Sequence, residues 1–200
     1  MDKQALFNIS YGLYILTVND GNKHTGCVIN TLMQVTPSPS RISITINKDN
    51  YTTDIISKTG VFNVSILDMS TNFDIIKRFG FASGKDIDKF VGFNDYNVAD
   101  NGVAYITKHT NSYISAKVVS SSDVGTHITF VADIDNDVVL SDTKSLTYAY
   151  YLDNIKPKVE STDNKKYVCS ICGFEYEGDT LPDDYICPLC KHGAEFFELK

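Results

Sequence analysis

The sequence predicts two unequal domains: a mainly antiparallel β domain with two or three helices over residues 1–153, and a small metal-stapled domain over residues 167–200. Three observations carry this. Short stretches of apolar-polar alternation, punctuated by Gly, Pro and Asp-Gly, recur through the larger part without the strand–helix–strand rhythm of a parallel sheet. Two Cys-x-x-Cys pairs, Cys169 with Cys172 and Cys187 with Cys190, stand near the C-terminus. Between the two parts, residues 154–166 hold Lys156, Pro157, Lys158, Glu160, Ser161, Thr162 and Asp163 and almost no apolar side chain, the composition of a linker.

The elements follow in order. Tyr14–Val18 and Gly26–Gln34 read as strands joined through Asp20-Gly21, a favourable turn pair. Pro37 and Pro39 interrupt the chain. Arg41–Ile46 then alternates Ile42, Ile44 and Ile46 with Arg41, Ser43 and Thr45, the mark of a strand with one buried face. Asn50–Thr53 offers capping side chains ahead of Ile55 and Ile56, with Gly60 as the helix stop. Val61–Leu67 is strand-like. Ser70 is expected to cap a helix carrying Phe73, Ile76 and Phe79 or Ile75 on one face, ended by Gly80. Tyr113–Val119, His127–Asp133, Asp137–Leu140 and Leu146–Tyr151 read as further strands, and the whole as a barrel.

Composition narrows the function classes. A hydrophobic fraction of 42% is that of a globular chain rather than a disordered one. A net charge of −7 with no basic stripe disfavours nucleic acid as a partner. No apolar run has the length to span a bilayer, and Met1-Asp2-Lys3-Gln4 lacks the basic start of a secretory signal, so no membrane is expected and the location is expected to be cytoplasmic. In that reducing setting the five cysteines are ligands or buried thiols rather than disulfides.

The paired cysteines place four thiolates at the corners of a tetrahedron, which both Zn²⁺ and a single iron accept. So short a segment cannot bury enough surface to fold alone, and the metal makes it a domain. Tyr167, Phe174, Tyr176, Tyr185, Phe196 and Phe197 surround the knuckles, an apolar shell that limits water and favours a redox metal. Gly173 lets the backbone turn so that amides can face sulfur. Tyr167-x-Cys169-x-x-Cys172-Gly173-x-x-Tyr176, followed by Cys187-Pro188-x-Cys190, resembles the rubredoxin family, which implies one iron on Cys169, Cys172, Cys187 and Cys190, with zinc as the alternative occupant. The loop between the knuckles is short, as in the rubredoxin-like tails of rubrerythrins. Tyr185 stands where tryptophan is common, and Lys191 where the second glycine usually sits, with a charge that would raise the potential. His192 reads as a surface residue.

The larger domain carries a second resemblance. Gly26-Cys27-x-x-Asn30-Thr31-x-x-Gln34-Val35-Thr36, Asn47-Lys48-x-Asn50-Tyr51-Thr52, Arg78-Phe79-Gly80-Phe81-x-Ser83-Gly84, Asp88-Lys89-Phe90 and Thr126-His127 resemble the flavin reductase-like, FMN-binding split-barrel family. Joined to the tail, the whole resembles the high-molecular-weight rubredoxins. FMN needs donors and positive charge for its phosphate, which a helix N-terminus supplies. Lys48, Asn50, Tyr51 and Thr52 lie where the helix should begin, with Thr31 adding a hydroxyl, although Asn50 or Thr52 could instead be a plain cap and Lys48 a solvated surface residue. The resemblance implies that Asn30, Gln34 and the amides of Val35 and Thr36 face the isoalloxazine edge. It places His127 near the nicotinamide side, where the other reading is a strand-end histidine holding one backbone bond. Cys27 reads as a small buried residue. Phe79-Gly80-Phe81 is either a flap over the flavin or a helix end. The Tyr148, Tyr150 and Tyr151 cluster reads as an aromatic strand whose partner, by resemblance, is a second subunit in a homodimer.

No Gly-x-Gly-x-x-Gly follows a strand, so a nicotinamide must bind transiently against the flavin, or a donor flavoprotein must supply electrons. The implied function is electron transfer from NAD(P)H or a donor flavoprotein through FMN to the iron, and on to a flavodiiron protein or rubrerythrin-type acceptor that removes O₂, peroxide or nitric oxide. A flavin reductase, or flavin-binding protein, with a structural zinc ribbon is the competing reading.

Overall fold

The computed structural model describes residues 3–157, 165–178 and 180–200. The expected linker 154–166 falls mostly on 158–164, outside the described residues. The chain forms two compact units, Ser10–Lys156 on one hand and Met1–Ile9 with Pro157–Lys200 on the other.

In the larger unit β1 (Tyr14–Asn19), β2 (His24–Ile29), β3 (Met33–Pro37), β4 (Ser40–Asn47), β5 (Val61–Leu67), β8 (Thr110–Asp123) and β9 (His127–Val139) form one sheet in the order β2-β1-β5-β8-β9-β4-β3. Every pairing in it is antiparallel. Helix α1 (Tyr51–Thr59) joins β4 to β5, and α2 (Phe73–Gly80) with the small β6–β7 hairpin (Tyr96–Val98, Ala104–Ile106) joins β5 to β8. The topology forces a rolled sheet. β2 and β3 are its two edges, yet only Asn30, Thr31 and Leu32 join them. Laid flat, seven strands would separate those edges by about 29 Å, whereas the link reaches about 14 Å at most. The sheet therefore curls into a barrel split between β2 and β3.

Burial follows that shape. Leu16, Val18, Ile29, Ile42, Ile44, Ile46, Phe62, Val64 and Phe130 fill the barrel, together with Ile55 and Ile56 of α1. A second cluster joins Ile15 and Leu67 to Ile75, Ile76 and Phe79 of α2. β1 thus serves two cores, which explains why its middle reads as an unbroken buried run.

Several expectations need correction. The predicted strand Gly26–Gln34 breaks at Asn30, because the chain must cross the split there. Asp137–Leu140 is not separate but continues β9 past two irregularities in its pairing with β8. The cap of α2 is Asn72, whose Oδ1 accepts from the amides of Asp74 and Ile75, while Ser70 sits in the preceding turn, bound to Asp68. Phe79 is wholly buried and Phe81 is the residue just beyond α2, so this segment is a helix end. Leu146–Tyr151 is not a strand: Thr147 Oγ1 accepts from the amide of Tyr150, and the chain turns into α3 (Tyr148–Tyr150) and a further helical turn, Tyr151–Ile155. Ile155, at the end of that turn, packs on the second core.

Tyr151, at 4% exposure, has its phenol pushed up to about 12 by burial. The folded state therefore holds this proton more tightly than the unfolded chain, whose tyrosines titrate near 10. Stability from this group is fully present below pH 10 and is lost as pH rises towards 12. Urea unfolding of Tyr151→Phe should show a shallower alkaline decline than the parent, and identical slopes would exclude Tyr151 as its source.

The smaller unit is a three-stranded sheet, β11-β10-β12 (Glu175–Glu177, Lys166–Cys169, Phe197–Leu199). Among the described residues, no helix is long and apolar enough to cross a membrane.

Candidate functional site

The four tail cysteines converge. Their sulfurs all lie within 4.8 Å of one another, with Cys169 to Cys190 at 3.6 Å and Cys172 to Cys187 at 3.4 Å. A tetrahedral metal with bonds of about 2.3 Å requires sulfur–sulfur edges of about 3.8 Å, so the donor set fits one ion. Two matching knuckles build it. Gly173 N–H donates to the Cys169 carbonyl and Lys191 N–H to the Cys187 carbonyl; Cys169 N–H bonds Phe174 and Cys187 N–H bonds His192. The amides of Phe174, Leu189, Cys190 and His192 face sulfur, as Gly173 suggested for the first knuckle. Crowding makes the thiols ionise in sequence: donation from Cys172 and Cys190 holds Cys187 far below its ordinary range, and the same bond to Cys187 pushes Cys172 up. Tyr185 packs on Tyr176 at 4.6 Å and on Phe197 at 5.4 Å, filling the expected tryptophan position. His192 is half-buried rather than a plain surface residue, with its ring against Phe196 and Nδ1 on the Cys190 carbonyl.

The barrel residues fall in two groups on either side of the split. On the β4–β9 side, Thr31 Oγ1 donates to the Thr45 carbonyl at 2.6 Å, and Thr45 Oγ1 meets Thr129 Oγ1 at 2.9 Å. His127 pairs in register with Asn47, its Nδ1 2.8 Å from Thr126 Oγ1. Lys48 closes an ion pair with Asp123 at the β8–β9 turn. Gln34 and Val35 are exposed and Thr36 half-buried on edge strand β3, just after Asn30. On the β2 side, Tyr51 donates to Asp20 at 2.9 Å and Thr52 to Cys27 Sγ at 3.1 Å. Asn50 occupies the cap position of α1, but its side chain makes no capping bond; its carbonyl takes the Thr53 amide, and the amides of Tyr51 and Thr52 are left for another acceptor. Cys27 is a buried thiol pushed up by desolvation, an inert state.

A family model described as the flavin reductase like domain matches residues 6–157. The chain belongs to this family. A second model, the rubrerythrin, rubredoxin-like domain, matches residues 167–198. The high molecular weight rubredoxin of Moorella thermoacetica is 34% identical over 99% of both chains. The ferric-chelate reductase (NAD(P)H) of Archaeoglobus fulgidus is 40% identical over 76% of this chain and 89% of its own. Among solved structures, the NADH:FAD oxidoreductase of Streptomyces globisporus C-1027 superposes with a TM-score of 0.66 at 17% identity, over 72% of this chain and 85% of that one. As a member of the flavin reductase-like family with a rubredoxin-like tail, the chain is an oxidoreductase of flavin-linked electron transfer.

Sequence reasoning gave no individual role to several further side chains of the barrel. Thr45 and Thr129 extend the hydroxyl row begun by Thr31, a cross-strand pair visible only once β4 and β9 are in register. Lys85 sits over the Tyr51 ring and pairs with Asp54. Gly84 lies so close to Thr25 that a Cβ there would overlap its hydroxyl, the reason for glycine at this point. Lys89, only 3% exposed, donates to the Gly26 carbonyl at 2.8 Å and the Phe79 carbonyl at 2.7 Å. Nothing in its sequence context announces a buried lysine.

Proposed function

We propose that the chain passes electrons from NAD(P)H, directly or through a donor flavoprotein, by way of FMN at the split to one iron on Cys169, Cys172, Cys187 and Cys190, and on to a flavodiiron or rubrerythrin-type acceptor. The supporting observation is the combination, in one chain, of a split barrel of the flavin reductase-like family and four sulfurs spaced for one metal. When bound, FMN accepts the hydride pair and iron carries electrons singly.

The chain's own residues supply binding and tuning. The amides of Tyr51 and Thr52 at the start of α1, with the side chains of Asn50, Tyr51 and Thr52, offer the phosphate its donors. Lys48 adds charge once it leaves Asp123, and Thr31 a hydroxyl. Asn30 in the link across the split, with Gln34 and the Val35–Thr36 backbone on the edge strand β3, would meet the isoalloxazine, and His127 would stand on the nicotinamide side. The NAD(P)H in the name of the Archaeoglobus relative supports a nicotinamide donor. A homodimer in the cytoplasm completes the proposal.

Anaerobic titration with NADH and NADPH, following flavin and iron absorbance together, tests it. Reduction of both centres without a donor flavoprotein is expected, with Cys172→Ser losing the iron signal and keeping flavin reduction. A chain purified from its native cell with zinc in the tail would sink the reading in favour of a flavin reductase with a zinc ribbon, and a barrel that takes up no FMN would sink it outright.

A further inference from the structure

The two knuckles are near copies in hydrogen bonding, and they differ at one corner. In the first, the left-handed residue is Gly173 at φ 70°; in the second it is Lys191 at φ 61°. That conformation is free for glycine and costs an L-residue. Local geometry cannot be what calls for lysine, because the equivalent amide bonds are made in both knuckles, Gly173 to Cys169 and Lys191 to Cys187. What lysine adds is a cation. Its side chain is exposed and enters no ion pair among the described residues, unlike Lys166, which lies between Glu175 and Glu177. It is bonded in the chain to Cys190, one of the two half-exposed ligands, while Cys169 and Cys187 are buried. Whatever rotamer it takes, its charge stays within about 13 Å of that sulfur, inside the Debye length of about 30 Å in a dilute buffer.

We infer that Lys191 is a positioning charge for the metal centre: it raises the reduction potential of the iron, from a position whose backbone conformation favours glycine. The inference rests on the iron reading above. Reduction adds one electron to a four-thiolate ferric site and takes its net charge from one negative to two. A nearby cation stabilises the second state more than the first, so it favours the reduced form. Because the ammonium is solvent-facing, the effect must weaken as salt is added.

The test is spectroelectrochemical titration of the iron in the full chain at low and high ionic strength, for the parent and for Lys191→Gln, Lys191→Arg and Lys191→Gly. Lys191→Gln should titrate at a lower potential than the parent at low salt, with the gap narrowing at high salt, and Lys191→Arg should restore the parent value. Lys191→Gly should shift the potential like Lys191→Gln while raising the thermal midpoint of the tail, which separates charge from backbone strain. Coincident potentials for parent and Lys191→Gln at low salt would overturn the inference and leave the electron-transfer reading standing. A native-source chain with no reducible iron would overturn both.

Discussion

Removing the metal, by chelation or by Cys169→Ala, should unfold residues 165–200 and leave the barrel intact. Burial in the tail makes the case: among its described residues, the buried hydrophobic side chains are Cys169 and Cys187 themselves, and the aromatic residues around them are only half-covered. Three strands of three or four residues cannot offset the entropy of ordering such a segment, which costs about 1–2 kcal/mol per residue. Metal–sulfur bonding supplies what the core does not. Hydrogen exchange offers the check. The amides of Cys169 and Cys187, bonded to Phe174 and His192, should lose protection together on chelation, while those of Ile44 and Phe62 keep theirs. Acid should act in the same direction, since protons compete with the metal for all four sulfurs. A tail that stays protected without metal would mean that its aromatic shell folds unaided.

The tail was legible because its chemistry is local. Two Cys-x-x-Cys pairs constrain one site whatever surrounds them, and the four sulfurs meet as their spacing demands. Alternation likewise announced β4, and Gly60 announced the end of α1, where it takes φ 69°. The misreadings share a cause, which is that tertiary context decided between local options. Asn30–Leu32 has strand-like composition but must bridge the two edges of a rolled sheet. Leu146–Tyr151 has aromatic residues suited to a strand, yet Thr147 caps a turn that buries Leu146 and Tyr151 in the second core. The present partners of the residues expected to bind phosphate were not foreseen: Tyr51 holds Asp20 and Lys48 holds Asp123, pairings between segments far apart in sequence.

Lys89 lies at the other extreme, and Lys89→Met should destabilise the barrel by about 1–3 kcal/mol even though it removes a buried charge. Two effects compete. Desolvation pushes this ammonium below the ordinary lysine range, so part of the folding free energy is spent on keeping it charged. Against that stand two carbonyls with special needs. Gly26 belongs to β2, an edge of the sheet, and its carbonyl is directed to Lys89 rather than into the ladder. Phe79 belongs to the last turn of α2, whose carbonyls have no partner within the helix and carry the negative end of its dipole. Methionine keeps the stem and its packing but strands both acceptors, each at a cost of about 1–3 kcal/mol when buried, which exceeds the desolvation recovered. Lys89 also fixes the segment after α2, because Arg78 donates to its carbonyl at 3.0 Å and to that of Val91. Urea unfolding of Lys89→Met should therefore show a lower midpoint, with exchange rising first between residues 81 and 95. Greater stability in the methionine variant would mean that desolvation outweighs both carbonyls, and that this lysine is carried by the barrel as a burden rather than a brace across α2 and the open edge of β2.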